Sequence, residues 1–89
     1  MYELRWNHWN VVHIGEHGVS PPEAEYVVQH ARAPYPEYRG DGKYLVVGQG
    51  PEGTYLQVVF VVDPEDQVYV IHARPLTENE KRRYRRRRT

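Results

Sequence analysis

None of the 89 residues is cysteine, so neither a disulfide framework nor a thiolate metal site can be built, and the fold must rest on packing. A thiol-free chain suits a reducing compartment, and a cytoplasmic location is expected. Long apolar runs are also missing. No stretch approaches the roughly 18 residues that a membrane span needs, and Met1-Tyr-Glu-Leu-Arg5 lacks a basic segment ahead of an apolar core, so no secretory signal is expected either. Apolar residues make up only 39% of a chain long enough for one small domain. At this size only about 60% of the unfolded chain's surface can be buried, and a partner covering residual apolar surface is an economical expectation.

Charge is present in quantity and is segregated. The formal net charge is zero, yet seven of the 12 basic residues fall within residues 81–89, after the last of the 12 acidic ones. A body of −7 is thus joined to a tail of +7. One or two arginines at a helix end are explained by the helix dipole. Six, at Arg82, Arg83, Arg85, Arg86, Arg87 and Arg88, point instead to phosphates or carboxylates of a partner, which planar guanidinium forks match.

Tyr2 to Arg5 reads as a first strand. Trp6, Trp9, Val12 (or His13) and the stem of Glu16 recur at helical spacing and predict a helix over 7–17 with those residues as its apolar face, ended by Gly18. Ser20-Pro-Pro-Glu23 is a capping box with proline at the first turn, opening a second helix that runs to His30 and buries Ala24, Val27 and Val28. Residues 31–43 form a long loop. The period then changes to that of strands, at Tyr44–Val47, Thr54–Val62 and Val68–Ala73, separated by turn sequences Gly50-Pro-Glu-Gly53 and Asp63-Pro-Glu-Asp66. Strict alternation in the last strand places Val68, Val70, His72 and Arg74 on one face and Tyr69, Ile71 and Ala73 on the other. Pro75 stops it, and Thr77-Glu-Asn-Glu80 caps a terminal helix carrying the arginines. The expected fold is α+β in the order β-α-α-β-β-β-α, with two helices packed on one face of a twisted antiparallel sheet, in a single domain over 1–89.

Three segments together resemble the BrnT-like toxins, a branch of the RelE/ParE superfamily of small bacterial toxin–antitoxin ribonucleases. They are Trp6-Asn-His-Trp9-Asn10 through His17-Gly-Val-Ser20-Pro-Pro-Glu23, then Tyr44-Leu-Val-Val-Gly48 leading to Gly53-Thr54-Tyr55-Leu56, and finally Val70-Ile-His72-Ala-Arg74-Pro-Leu-Thr77-Glu-Asn-Glu80-Lys-Arg-Arg83-Tyr84. Their order and spacing cover nearly the whole chain. The resemblance implies the RelE/ParE-like fold and the toxin component of a type II toxin–antitoxin system: an endoribonuclease inhibiting translation and growth, needing no metal or other cofactor. It further implies that RNA is the substrate and that a small DNA-binding antitoxin silences the toxin in a hetero-oligomer. In one respect the chain departs from the family. Thr54 follows the hairpin glycine where members often have arginine, so a catalytically inactive module binding RNA or an antitoxin-like protein is the alternative.

Metal-free RNA cleavage uses the substrate's own 2′-hydroxyl and needs a base, an acid and a cation for the developing charge. Arg74 suits the phosphate, His72 the proton transfer, and Glu80 and Tyr84, one helical turn apart, an orienting or proton-relaying role. Each also has an ordinary structural explanation: Glu80 as a cap, Tyr84 as packing, His72 as a strand residue. Asn10, His13 and His17 share one face of the first helix and match the toxin pattern as an RNA- or partner-facing surface. A zinc site at His13 and His17, completed by His8 or Glu16, is the less economical reading of the same residues. Trp6 and Trp9 can stack on bases, although so small a domain is expected to take at least one into its core. The spacing Gly48-x-Gly50-x-x-Gly53 mimics a dinucleotide fingerprint, but it sits in a hairpin with Pro51 and no helix follows.

Overall fold

The computed structural model describes residues 2–88, and for 87 and 88 the backbone alone. Within these residues the chain is a small α+β domain of three helices and one five-stranded mixed sheet. The centre is the expected meander: β3 (Lys43–Gln49), β4 (Tyr55–Val62) and β5 (Val68–Pro75) pair antiparallel in turn. Each hairpin is made by the predicted turn residues. Gly53 adopts φ +90°, which closes the first turn with Gly50 N–H donating to the Thr54 carbonyl at 2.8 Å. In the second, the Asp63 carboxylate accepts from the backbone N–H groups of Glu65 and Gln67, both at 2.9 Å.

Two edge strands depart from the expectation. β1 (Leu4–Arg5) runs parallel to β5, pairing Leu4 with Val68 and Arg5 with Tyr69, so the sheet is mixed rather than antiparallel. Within the anticipated loop of 31–43, Glu37–Tyr38 forms β2 against β3, giving the order β1-β5-β4-β3-β2. The sequence announces β1, although over residues 2–5 and without its parallel pairing, whereas β2, two residues long, is too short for a periodicity to announce it.

Helix α1 (His8–Gly15) buries a different face from the one expected. Trp9 and Val12 are exposed, and the inward positions are Asn10 and Ile14, each 0% exposed. The reason is local. Asn7 and Asn10 form a reciprocal capping box, and the Asn10 amide then donates to the carbonyls of Arg5 (3.2 Å) and Val70 (3.1 Å). It thereby fills the gap where β1 and β5 part. A buried amide satisfied on every side is tolerated where a bare one is not. Helix α2 (Pro21–Gln29) follows its sequence signature, capped by Ser20 and Glu23 and burying Ala24, Val27 and Val28. Ile14, Val27, Val28, Val46, Val58 and Phe60 anchor the main core between these helices and the sheet.

Alternation along β5 is broken by a bulge. Val59 pairs with His72 and Phe60 with Val70, leaving Ile71 without a partner. The extra residue inverts the phase beyond it, so Ala73 joins Val68 and Val70 in the main core and the four-residue face expected of Val68, Val70, His72 and Arg74 does not exist. On the opposite sheet face helix α3 (Glu78–Arg88) rests through Tyr84, which packs with Leu45, Val47 and Leu76 in a second cluster. Its start is capped as predicted, with Thr77 and Glu80 exchanging hydrogen bonds of 2.8 and 3.2 Å. Among the described residues no helix is long and apolar enough to cross a membrane.

Candidate functional site

The last turn of α1 and the turn beyond it lie over the bulge of β5, and three histidines meet there. The ring centroid of His72 is 5.3 Å from that of His17, in an edge-on arrangement, and 6.4 Å from that of His13. Partial burial, followed by the nearby charges of His17, Arg74 and His13, pushes the His72 pKa below its ordinary 6.5. Its imidazole is therefore predominantly neutral at pH 7 and able to accept a proton. Among the described residues no group of three or more His, Asp or Glu side chains is arranged to hold a metal ion.

A row of π-faces continues from the histidines. His13 stacks on Trp9 (4.8 Å, 10°), Trp9 lies over Tyr69 (6.4 Å, 19°), and the Arg5 guanidinium sits 4.1 Å from the Tyr69 ring centre. Trp9 is 54% exposed, so the row is open to solvent. Trp6 is the tryptophan that packs on the main core, its indole N–H donating to Glu25 at 3.0 Å. Arg5 and Tyr69 carry no signal in the sequence, since only the parallel pairing of β1 with β5 brings them to Trp9.

Arg74 makes a two-pronged contact with Glu80, at 2.8 and 2.7 Å, and also reaches Gln57 at 3.4 Å. Hydrogen bonding to Glu80 raises the Arg74 pKa, and the Arg74 guanidinium, with the Thr77 backbone, holds the Glu80 carboxyl at about 2. The arginine fork expected to meet phosphate is thus already matched by a carboxylate, while its charge remains close enough to His72 to affect it. Tyr84 is buried against the rings of Tyr35 and Tyr55 and anchors α3, well suited to packing and poorly to proton transfer. Asn10, expected on an RNA-facing surface, is buried and its amide is spent on the fold, so it faces no ligand.

Of the tail, Arg82 bonds to Asn79, Arg85 lies 5.8 Å from the Tyr55 ring centre, and Arg83 and Arg86 are exposed along α3. The side chains of Arg87 and Arg88 lie outside the described residues. The structure therefore brings His13, His17 and His72 together and joins Arg74 to Glu80, in two adjoining groups. The chain matches no protein-family model, no curated protein and no solved structure.

Proposed function

We propose that this protein is a metal-independent endoribonuclease of the toxin type, with a RelE/ParE-like architecture, held silent by a protein antitoxin. The observation that carries the reading is the convergence of three imidazoles beside an arginine and an exposed aromatic row. The resemblance of three sequence segments to BrnT-like toxins supports it as well. In the reaction, neutral His72 takes the proton of the 2′-hydroxyl as its oxygen attacks the adjacent phosphorus. The P–O5′ bond breaks, and the departing oxygen takes a proton that His17 or His13 is placed to deliver, leaving a 2′,3′-cyclic phosphate and a 5′-hydroxyl. Arg74 contributes positive potential to the phosphorane while remaining fixed by Glu80.

Incubation with a single-stranded RNA in EDTA tests this directly. Cleavage is expected to persist under chelation and to fall about 100-fold in His72→Ala, the scale of lost general-base catalysis. Loss of activity with EDTA, or full activity in His72→Ala, would overturn the assignment. A second reading, a toxin-like module that binds without cleaving, is favoured by one specific observation: the Arg74 fork is saturated by Glu80 in a chain that has Thr54 after its hairpin glycine. Under that reading RNA binds and stays intact, and induced expression leaves growth unaffected.

A further inference from the structure

The opposite side of the sheet presents an unfinished edge. Because Gly50 N–H bonds the Thr54 carbonyl, the antiparallel ladder turns the main chain of Gly48 and Val46 toward β4 and that of Val47 and Gln49 away from it. On the outer side β2 continues the sheet only as far as Glu37, opposite Leu45. Beyond it the residue that falls opposite Val47 in the same register is Tyr35, whose N–H is given instead to the Arg32 carbonyl at 2.9 Å. Among the described residues no backbone bond from a loop fills the outer side of Val47 or Gln49.

This edge is the floor of a long cleft. One part, of about 510 Å³, lies between the end of α2 and the Gly50–Gly53 turn and is bordered by Tyr26, His30 and Arg32. A second, of about 340 Å³, continues toward α3 and is bordered by Arg39, Glu80 and Arg83. The two share Val47 and Tyr84. Gly48 and Gly50 line the first part and bring no side chain into it. The polarity of the walls is one-sided: three arginines and a histidine face a single carboxylate, Glu80, which Arg74 already neutralises, and Arg39 is paired with Glu37. Arg32 and Arg83 make no ion pair among the described residues. In a chain whose body carries −7, the body's Arg32 and Arg39, joined here by Arg83 of the tail, make this edge locally cationic.

We infer that the β3 edge is a docking site for an extended acidic segment of a partner protein, which adds as a strand in line with β2, bonding the main chain of Val47 and Gln49 and placing carboxylates against Arg32 and Arg83. Strand addition draws its affinity from main-chain bonds and its selectivity from flanking side chains, and both are provided here. The cleft lies across the sheet from the histidines, so the site stands whether or not the protein cleaves RNA.

The probe is a capped eight-residue peptide of alternating Val and Glu, added to the isotope-labelled full chain up to about 1 mM, a concentration sufficient to reveal weak binding. The expected result is a shift and slowed hydrogen exchange at the amides of Val47 and Gln49, with Gly48 little changed. Affinity should drop about tenfold or more in Arg32→Glu/Arg83→Glu, and a Val-Lys peptide should bind no better than background. Unmoved amides, equal binding of the two peptides, or indifference to the double substitution would each overturn the inference. So would protection of Val47 by self-association of the protein alone, or tighter occupation of the same amides by an eight-nucleotide RNA.

Discussion

At the scale of single residues, the Asn10 side chain ties together the start of α1 and two strands. Its carbonyl oxygen and backbone N–H complete the cap of α1, and its amide nitrogen serves two strands. Replacing it with alanine removes a cap and leaves the Arg5 and Val70 carbonyls without their donor. A destabilisation of about 2–4 kcal/mol in urea unfolding is expected, and a loss under about 1 kcal/mol would show that water takes over those bonds. Glu80 makes a prediction in pH. Its carboxyl titrates at about 2 in the folded chain against an ordinary value of 4.5, so its contribution to stability is complete above pH 4.5 and is lost as pH falls toward 2. The stability of Glu80→Gln should therefore fall less steeply than that of the parent protein between those limits, and parallel curves would place the acid sensitivity elsewhere.

At the scale of elements, the bulge in β5 determines what the strand presents. Without Ile71 as an unpaired residue, the segment beyond it is drawn back along the strand and His72 is displaced from the rings of His17 and His13. Deletion of Ile71 is accordingly expected to keep the sheet, seen in far-ultraviolet dichroism, while the His72 midpoint rises toward 6.5 as the burial and neighbouring charge that depress it are lost. An unchanged midpoint, followed by NMR titration of the ring, would mean that the histidine contact does not depend on the bulge. Helix α3 is built on an opposite principle. Its composition is almost wholly polar, and it holds to the sheet chiefly through Tyr84 and through the Glu80–Arg74 pair at its first turn. A helix so fixed at its base can present arginines to a partner without losing its seat.

At the scale of the whole molecule, the segregation of charge sets the salt dependence of any association with nucleic acid. Should the arginines of α3 meet single-strand phosphates, a log–log plot of affinity against salt is expected to fall with a slope near −0.7 for each phosphate neutralised. Conversion of Arg82, Arg83, Arg85 and Arg86 to glutamine should then flatten the slope. A slope that does not change assigns those arginines to another partner, or to solvation of the helix alone.

Local chemistry was legible in the sequence: the Ser20–Glu23 and Thr77–Glu80 boxes, the turns at Gly50–Gly53 and Asp63–Asp66, and the apolar face of α2 all depend on residues within a few positions of one another. The three-stranded meander followed from them, since short turns between strand-forming runs leave few alternatives. What joins distant segments was not legible. The parallel pairing of β1 with β5 brings Arg5 to Tyr69, and the bulge at Ile71 inverts a strand's phase. The inward turn of α1 onto Asn10 exposes Trp9 and Val12, and the early end of β2 leaves the outer side of β3 at Val47 and Gln49 without a backbone partner among the described residues. Sequence alone therefore determined the three helices, the central meander and their charge, because propensity, capping and turn chemistry act over a few residues. Tertiary structure decided which histidines meet and which edge stays open, because those depend on register between strands and on the satisfaction of buried polar groups across some 60 positions of chain, as between Asn10 and Val70.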